Sequence, residues 1–138
     1  MKIEYVTLDL KPVNPADLEQ GTGFMMVARI TNNTFGRVEN IALTQMVPAG
    51  WEIQNTRMFD ANYGIKESSS DYRDFRDDRV YTYFSLNRGE TRTFVLILNA
   101  SYKGEFRQPP VWCEAMYRSD CYSRIPGNTV KVTGRKID

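Results

Sequence analysis

The sequence predicts an all-β domain, a two-layer antiparallel sandwich of seven or eight strands. Three observations carry that expectation. Apolar residues recur with period two in short runs, and no run of useful length has helical period. Turn clusters rich in Gly, Pro, Asn and Asp separate most of the runs. Two runs, residues 24–31 and 91–102, are apolar on both faces and so read as strands covered on both sides. With 138 residues the chain is long enough to bury one core. Short strands with turn signals between them favour the immunoglobulin-like arrangement over any parallel sheet.

The elements follow in order. Residues 3–10 alternate, with Val6, Leu8 and Leu10 on one face and Tyr5, Thr7 and Asp9 on the other; Pro12 and Pro15 end the run. The polar stretch Asp17-Leu18-Glu19-Gln20-Gly21 reads as a connection of about one helical turn. In residues 24–31, Phe24, Met26, Ala28 and Ile30 share a face, with Met25 and Val27 opposite. Asn32-Asn33-Thr34-Phe35-Gly36 is a turn cluster. Residues 41–47 form a strand closed by Pro48-Ala49-Gly50, and Trp51 and Ile53 begin a short one. Residues 57–78 read as a long loop. Residues 80–86 and 91–102 are strands, and Asn87-Arg88-Gly89-Glu90 between them reads as a hairpin turn. In the second, Phe94, Leu96, Leu98 and Ala100 oppose Val95 and Ile97. After Pro109-Pro110, residues 111–117 read as a strand, Arg118-Ser119-Asp120 as a loop, Pro126-Gly127 as a turn and residues 129–132 as the last strand. The expected core is Phe24, Met26, Ile30, Leu43, Phe84, Leu96 and Leu98.

Composition excludes several chemistries. There is no histidine, which removes Ser-His-Asp and Cys-His arrangements and imidazole-bound zinc. Two cysteines cannot build an all-thiolate zinc site. A net charge of +1 gives no basic stripe for nucleic acid. No apolar run approaches the roughly 20 residues that span a bilayer. Met1-Lys2 leads straight into a strand pattern without a leader, which suits a cytoplasmic chain or a piece of a longer exported one. No cofactor is expected.

Candidate sites are few. Asp71, Asp74, Asp77 and Asp78 lack the alternate spacing and sixth-position Gly of a calcium loop. With Arg73, Arg76 and Arg79 between them they read as a self-paired, solvated loop. Asn32-Asn33-Thr34 and Asn99-Ala100-Ser101 match the glycosylation triplet, a frequent chance match. Tyr81, Tyr83, Phe84 and Phe94 read as core and cross-strand packing. Cys113 and Cys121, eight positions apart, can be a disulfide, two buried free thiols or a reactive pair. With one in a strand and the other after a turn, a bridge is the expectation if the chain is exported.

Several segments carry a family resemblance. Glu114-Ala115-Met116-Tyr117, followed by Pro126-Gly127-Asn128-Thr129-Val130, resembles the end of bacterial α2-macroglobulins. Arg76-Asp77-Asp78-Arg79-Val80, Val47-Pro48-Ala49-Gly50-Trp51, and Lys103-Gly104-Glu105-Phe106 with Pro109-Pro110 resemble that family in the same order. The resemblance implies the last macroglobulin-like β-sandwich of a much larger, peptidase-trapping protein, with residues 1–138 as one non-catalytic domain. Such a parent is exported, periplasmic or held to the cell envelope by a lipid anchor. The partners implied are other domains of the same chain, a thioester domain among them, and trapped peptidases. The family's Cys-x-x-Gln thioester motif is absent. Asp17-Leu18-Glu19-Gln20 imitates it with Asp in place of Cys, and Cys113 and Cys121 have Met116 and Arg124 three residues on. In the family, the Met-Tyr pair of the last domain helps shield a thioester held elsewhere, a role that falls here on Met116 and Tyr117. With Tyr122 they are the expected interdomain contact. The cysteine pair departs from the family pattern. The other readings are a free-standing immunoglobulin-like adhesion or carbohydrate-binding module and a carboxylate-dependent enzyme.

Overall fold

The computed structural model describes residues 1–54 and 64–135. In chain order the strands are β1 (Lys2–Thr7), β2 (Asp17–Glu19), β3 (Gly23–Thr31), β4 (Val38–Met46), β5 (Trp51–Ile53), β6 (Tyr72–Phe75), β7 (Arg79–Leu86), β8 (Thr91–Ala100), β9 (Gly104–Gln108), β10 (Val111–Ala115), β11 (Arg118–Ile125) and β12 (Asn128–Thr133). A four-stranded sheet, β1-β3-β8-β5, faces a five-stranded one, β11-β10-β4-β7-β6. A third sheet, β2-β12-β9, completes the fold. Among the described residues β2 and β12 are the parallel pair, and the other ladders are antiparallel. No described helix is long and apolar enough to cross a membrane.

The core sits where the alternation places it. Phe24, Met26, Ala28 and Ile30 of β3 and Phe94, Leu96, Leu98 and Ala100 of β8 meet Ile41, Leu43, Val80 and Phe84 of the facing sheet. All seven expected core residues are buried. Phe84 and Phe94 join the two sheets, with ring centroids 4.9 Å apart. Trp51 closes the far end, edge-on to Phe24 at 4.9 Å. On the reverse side of β3 and β8, Met25, Val27, Val95 and Ile97 form a second cluster under Val6, Leu8 and Ile65. The both-faces-apolar reading of these two strands is thus correct.

Four strands were not expected: β2, β6, β9 and β11. Each is short or polar; β2 and β9 pair with the distant β12, while β6 and β11 pair with the strands next to them in the chain, β7 and β10. β2 contributes one buried side chain, Leu18, and is not a helical turn; it pairs with β12 from the other end of the chain. β6 lies inside the expected long loop, of which residues 57–63 fall outside the described residues. Its Arg73 turns inward, bonded to Glu67 at 2.8 Å and stacked over Phe75 at 4.9 Å. A buried guanidinium is tolerated there because both its charge and its flat face are matched.

Two further expectations are corrected. β1 stops at Thr7, where the Thr7 amide donates to the Lys11 carbonyl and Leu10 takes a φ of 66°. Ile3 and Tyr5 face the main core, while Val6 and Leu8 serve the second cluster. The turn at residues 87–90 is not a hairpin, because β7 and β8 belong to different sheets. It carries the chain across the sandwich. Gly127 has a steric reason: a Cβ there would lie 2.3 Å from the Gln108 carbonyl oxygen.

Candidate interdomain contact

β10 lies between β4 and the edge strand β11, and its inward residues Val111, Cys113 and Ala115 are buried. Trp112 and Glu114 therefore face outward. β11 runs back along β10 with Val111 opposite Ile125, Cys113 opposite Ser123 and Glu114 opposite Tyr122. The ladder then slips, and Ala115 pairs with Arg118. The reversal is made by Met116 and Tyr117 alone. The Met116 amide donates to the Asn40 carbonyl at 2.9 Å, which ties the turn to the start of β4. Asn40 takes a left-handed φ of 56° to present that oxygen, a conformation Asn tolerates.

This corrects the expected loop. Arg118 and Asp120 belong to a strand, and their side chains pair with each other at 3.1 Å. That bond holds the Asp120 carboxyl below its usual range. Turn-forming residues suit β11 because it is an edge, where charge deters further pairing. Met116 and Tyr117, read as strand by their apolar type, form the turn instead. They are 52% and 80% exposed. Apolar side chains exposed on a two-residue turn are unusual, which makes the turn a candidate contact.

Tyr122 is 77% exposed but stands apart from the turn. It lies on the outer face of the five-stranded sheet, in the row Tyr122, Glu114, Ala42, Tyr83 and Tyr72. Trp112 and Tyr81 lie in the next row. Tyr81 and Tyr83 are therefore outward cross-strand residues, whereas Phe84 and Phe94 are core. The sequence reading missed this aromatic face because strand parity across five strands, and not spacing within one, brings the rings together.

Cys113 and Cys121 are free thiols on adjacent strands, lining one cleft of ≈ 290 Å³. Burial pushes the Cys113 thiol up to about 12. In the reduced, folded protein at pH 8, iodoacetamide is expected to alkylate the half-buried Cys121 first. Cys113 should label slowly until urea unfolds the chain. Mass spectrometry of the two peptides reads the order, and equal labelling rates would contradict the burial of Cys113.

The remaining candidates resolve locally. Arg76 pairs with Asp74 at 2.9 Å and Arg79 with Asp78 at 3.0 Å, so two of the four acids are self-paired as read. Asp74 lies in β6 and not in a loop. Among the described residues no three His, Cys, Asp or Glu side chains gather to hold a metal. Both glycosylation-triplet asparagines are engaged: Asn32 is buried and Asn99 donates to the Ser101 hydroxyl.

Residues 2–120 match the bacterial alpha-2-macroglobulin MG10 domain. The chain belongs to that family. The alpha-2-macroglobulins of two Xylella fastidiosa strains are each 28% identical to it over 127 residues. The match covers 83% of this chain and 8% of each relative. Salmonella alpha-2-macroglobulin reacted with methylamine superposes with a TM-score of 0.83 at 19% identity, over 96% of this chain and 9% of that one. An Escherichia coli alpha-2-macroglobulin structure running from domain MG7 to the C-terminus gives 0.81 at 18% identity, over 96% of this chain and 23% of that one. These likenesses confirm the sandwich fold. This MG10 domain therefore spans under a tenth of the curated relatives it matches.

Proposed function

We propose that this MG10 domain is a non-catalytic docking domain near the C-terminus of a large exported bacterial alpha-2-macroglobulin that traps peptidases. Its Met116–Tyr117 turn packs on a thioester domain of the same chain and keeps water from the bond. The observation that carries this is the turn itself: two apolar side chains, exposed and anchored by the Asn40 carbonyl. Anchoring lowers the ordering cost of docking. Family membership supports the parent and its other domains as partners. The solved E. coli protein described as trypsin activated supports a peptidase as the trigger. Residues 1–138 act as one unit, and the parent sits in the periplasm or cell envelope through a lipid anchor. There, Cys113 and Cys121 pass two electrons and two protons to an oxidising disulfide carrier and close into a bridge.

The test uses the full-length parent. Methylamine cleaves a thioester and releases one thiol, whose rate of appearance reports shielding. Met116→Ala removes a contact worth about 1.4 kcal/mol and is expected to speed release roughly tenfold. An unchanged rate, or a parent that releases no thiol, rejects the shielding role.

A further inference from the structure

Phe35 is 92% exposed, more than any other large hydrophobic side chain among the described residues. Slack in its loop does not explain this. The Asn32 side chain, buried beneath the loop, donates to the Gly36 carbonyl at 2.8 Å and to the Leu86 carbonyl at 3.1 Å. Its oxygen accepts from the Thr34 amide at 2.9 Å and the Thr34 hydroxyl at 2.7 Å. The Asn32 amide donates to the Glu90 carbonyl and the Gly89 amide to the Asn32 carbonyl, which stitches the loop to the 87–90 turn. A fully bonded buried carboxamide fixes its surroundings. The loop thus holds a phenyl ring out in water on a rigid mount, as an anchor residue of an interface is held.

Arg88 completes the feature. Its guanidinium lies over the Phe35 ring, 5.6 Å from the centroid, and among the described residues it forms no ion pair. The neighbouring cations do: Arg37 pairs with Glu39, Arg92 with Glu90 and Arg118 with Asp120. One unmatched cation beside one unmatched ring is suited to an apolar surface carrying a carboxylate. It is too little charge for a membrane surface, which calls for a cluster of cations.

The loop shares an end of the sandwich with the Met116–Tyr117 turn. Both flank the start of β4: the Phe35 loop leads into Val38, and the Met116 amide bonds the Asn40 carbonyl. Beside them, the cleft of ≈ 290 Å³ is lined by Asn33 and Thr34 of the loop and by Cys113, Ala115 and Cys121 of β10 and β11. Curated relatives extend far beyond the matched region, which is 8% of their length, so the parent supplies neighbouring domains. We infer that Phe35 and Arg88 form a second prong of the docking end, seated with Met116 and Tyr117 on one apolar, carboxylate-bearing surface of a neighbouring domain in the parent chain. This rests on the reading that the Met116–Tyr117 turn docks within that chain.

The experiment places p-benzoylphenylalanine at position 35, and separately at position 117, in the full-length parent. Both sites are exposed, so neither replacement threatens folding. After irradiation, crosslinked peptides are identified by mass spectrometry. Both positions are expected to crosslink to the same other domain of the parent chain. Arg88→Glu is expected to lower the yield from position 35 several-fold. If position 117 crosslinks within the chain and position 35 does not, the second prong is rejected and the docking turn stands. If position 35 crosslinks and position 117 does not, the docking turn fails and the shared end with it. Crosslinks from position 35 to a second copy, or to a different domain from that reached by position 117, also reject the inference.

Discussion

Phe84→Ala is expected to destabilise the domain by about 3–5 kcal/mol. Phe84 is wholly buried on β7, between β4 and β6. Its ring meets Phe94 across the sandwich at an interplanar angle of 53°. The substitution loses the transfer energy of the ring and leaves a cavity between two sheets that cannot collapse without breaking ladder bonds. It also loses the aromatic pair, worth about 0.5–1.5 kcal/mol beyond area. A domain of this size has roughly 5–15 kcal/mol in all, so the variant keeps a thin margin. Urea unfolding should show a lower midpoint at unchanged slope. Phe35→Ala is the matched control, with a loss within about 0.5 kcal/mol because its ring touches little but water and Arg88. A loss under about 1 kcal/mol for Phe84→Ala would mean that its ring does not hold the sheets together.

The contrast between these two phenylalanines shows how far the fold was legible. Phe84 sits in an alternating run whose period alone places it inward. The same holds for Phe24, Met26, Leu96 and Leu98, and the sheets they build were readable from their spacing. β2, β6 and β11 were not. Leu18 is one apolar residue among polar ones, and only its alignment with Val132, over a hundred positions away, makes it a strand residue. Arg73 turns inward, half-buried, because Glu67 and two phenyl rings surround it, a circumstance with no local sign. Tertiary context decides such segments. The 87–90 turn failed for a related reason: a tight turn between strands looks the same whether it joins neighbours or crosses between layers.

The geometry of the candidate contact was not legible in the sequence. The family resemblance points to Met116 and Tyr117, and the expected cysteine-pinned loop adds Tyr122; all three are exposed. Their arrangement depends on the register slip after Glu114, which places the turn two residues earlier than composition suggests. That slip divides the three, two on the turn and one on the sheet face. Phe35 had a sign that went unused. A large apolar residue in the middle of Asn, Thr and Gly is out of place in a turn, and such local inconsistencies mark functional positions.

Raising the pH should unfold the reduced protein through Cys113, with Tyr5 adding to it. Burial moves the Cys113 thiol from 9.0 to about 12, and the Tyr5 hydroxyl from 10.0 to about 12 against the opposing hydrogen bond from Gln108. Both groups hold their protons more tightly folded than unfolded. Their contribution is therefore complete below pH 9 and is lost as pH rises toward 12, because the unfolded chain ionises first. For Cys113 the full gap corresponds to about 4 kcal/mol, of which roughly a third is gone by pH 10. Urea midpoints at pH 8, 9 and 10 with a reductant present should decline. The Cys113→Ala, Tyr5→Phe double variant should start lower and decline less. An equally steep decline in that variant would clear both residues of the effect. The same titration without reductant reports the bridge. A disulfide leaves no thiol to ionise, so a bridged domain loses only the smaller Tyr5 share by pH 10, and identical curves with and without reductant mean that Cys113 and Cys121 stay apart.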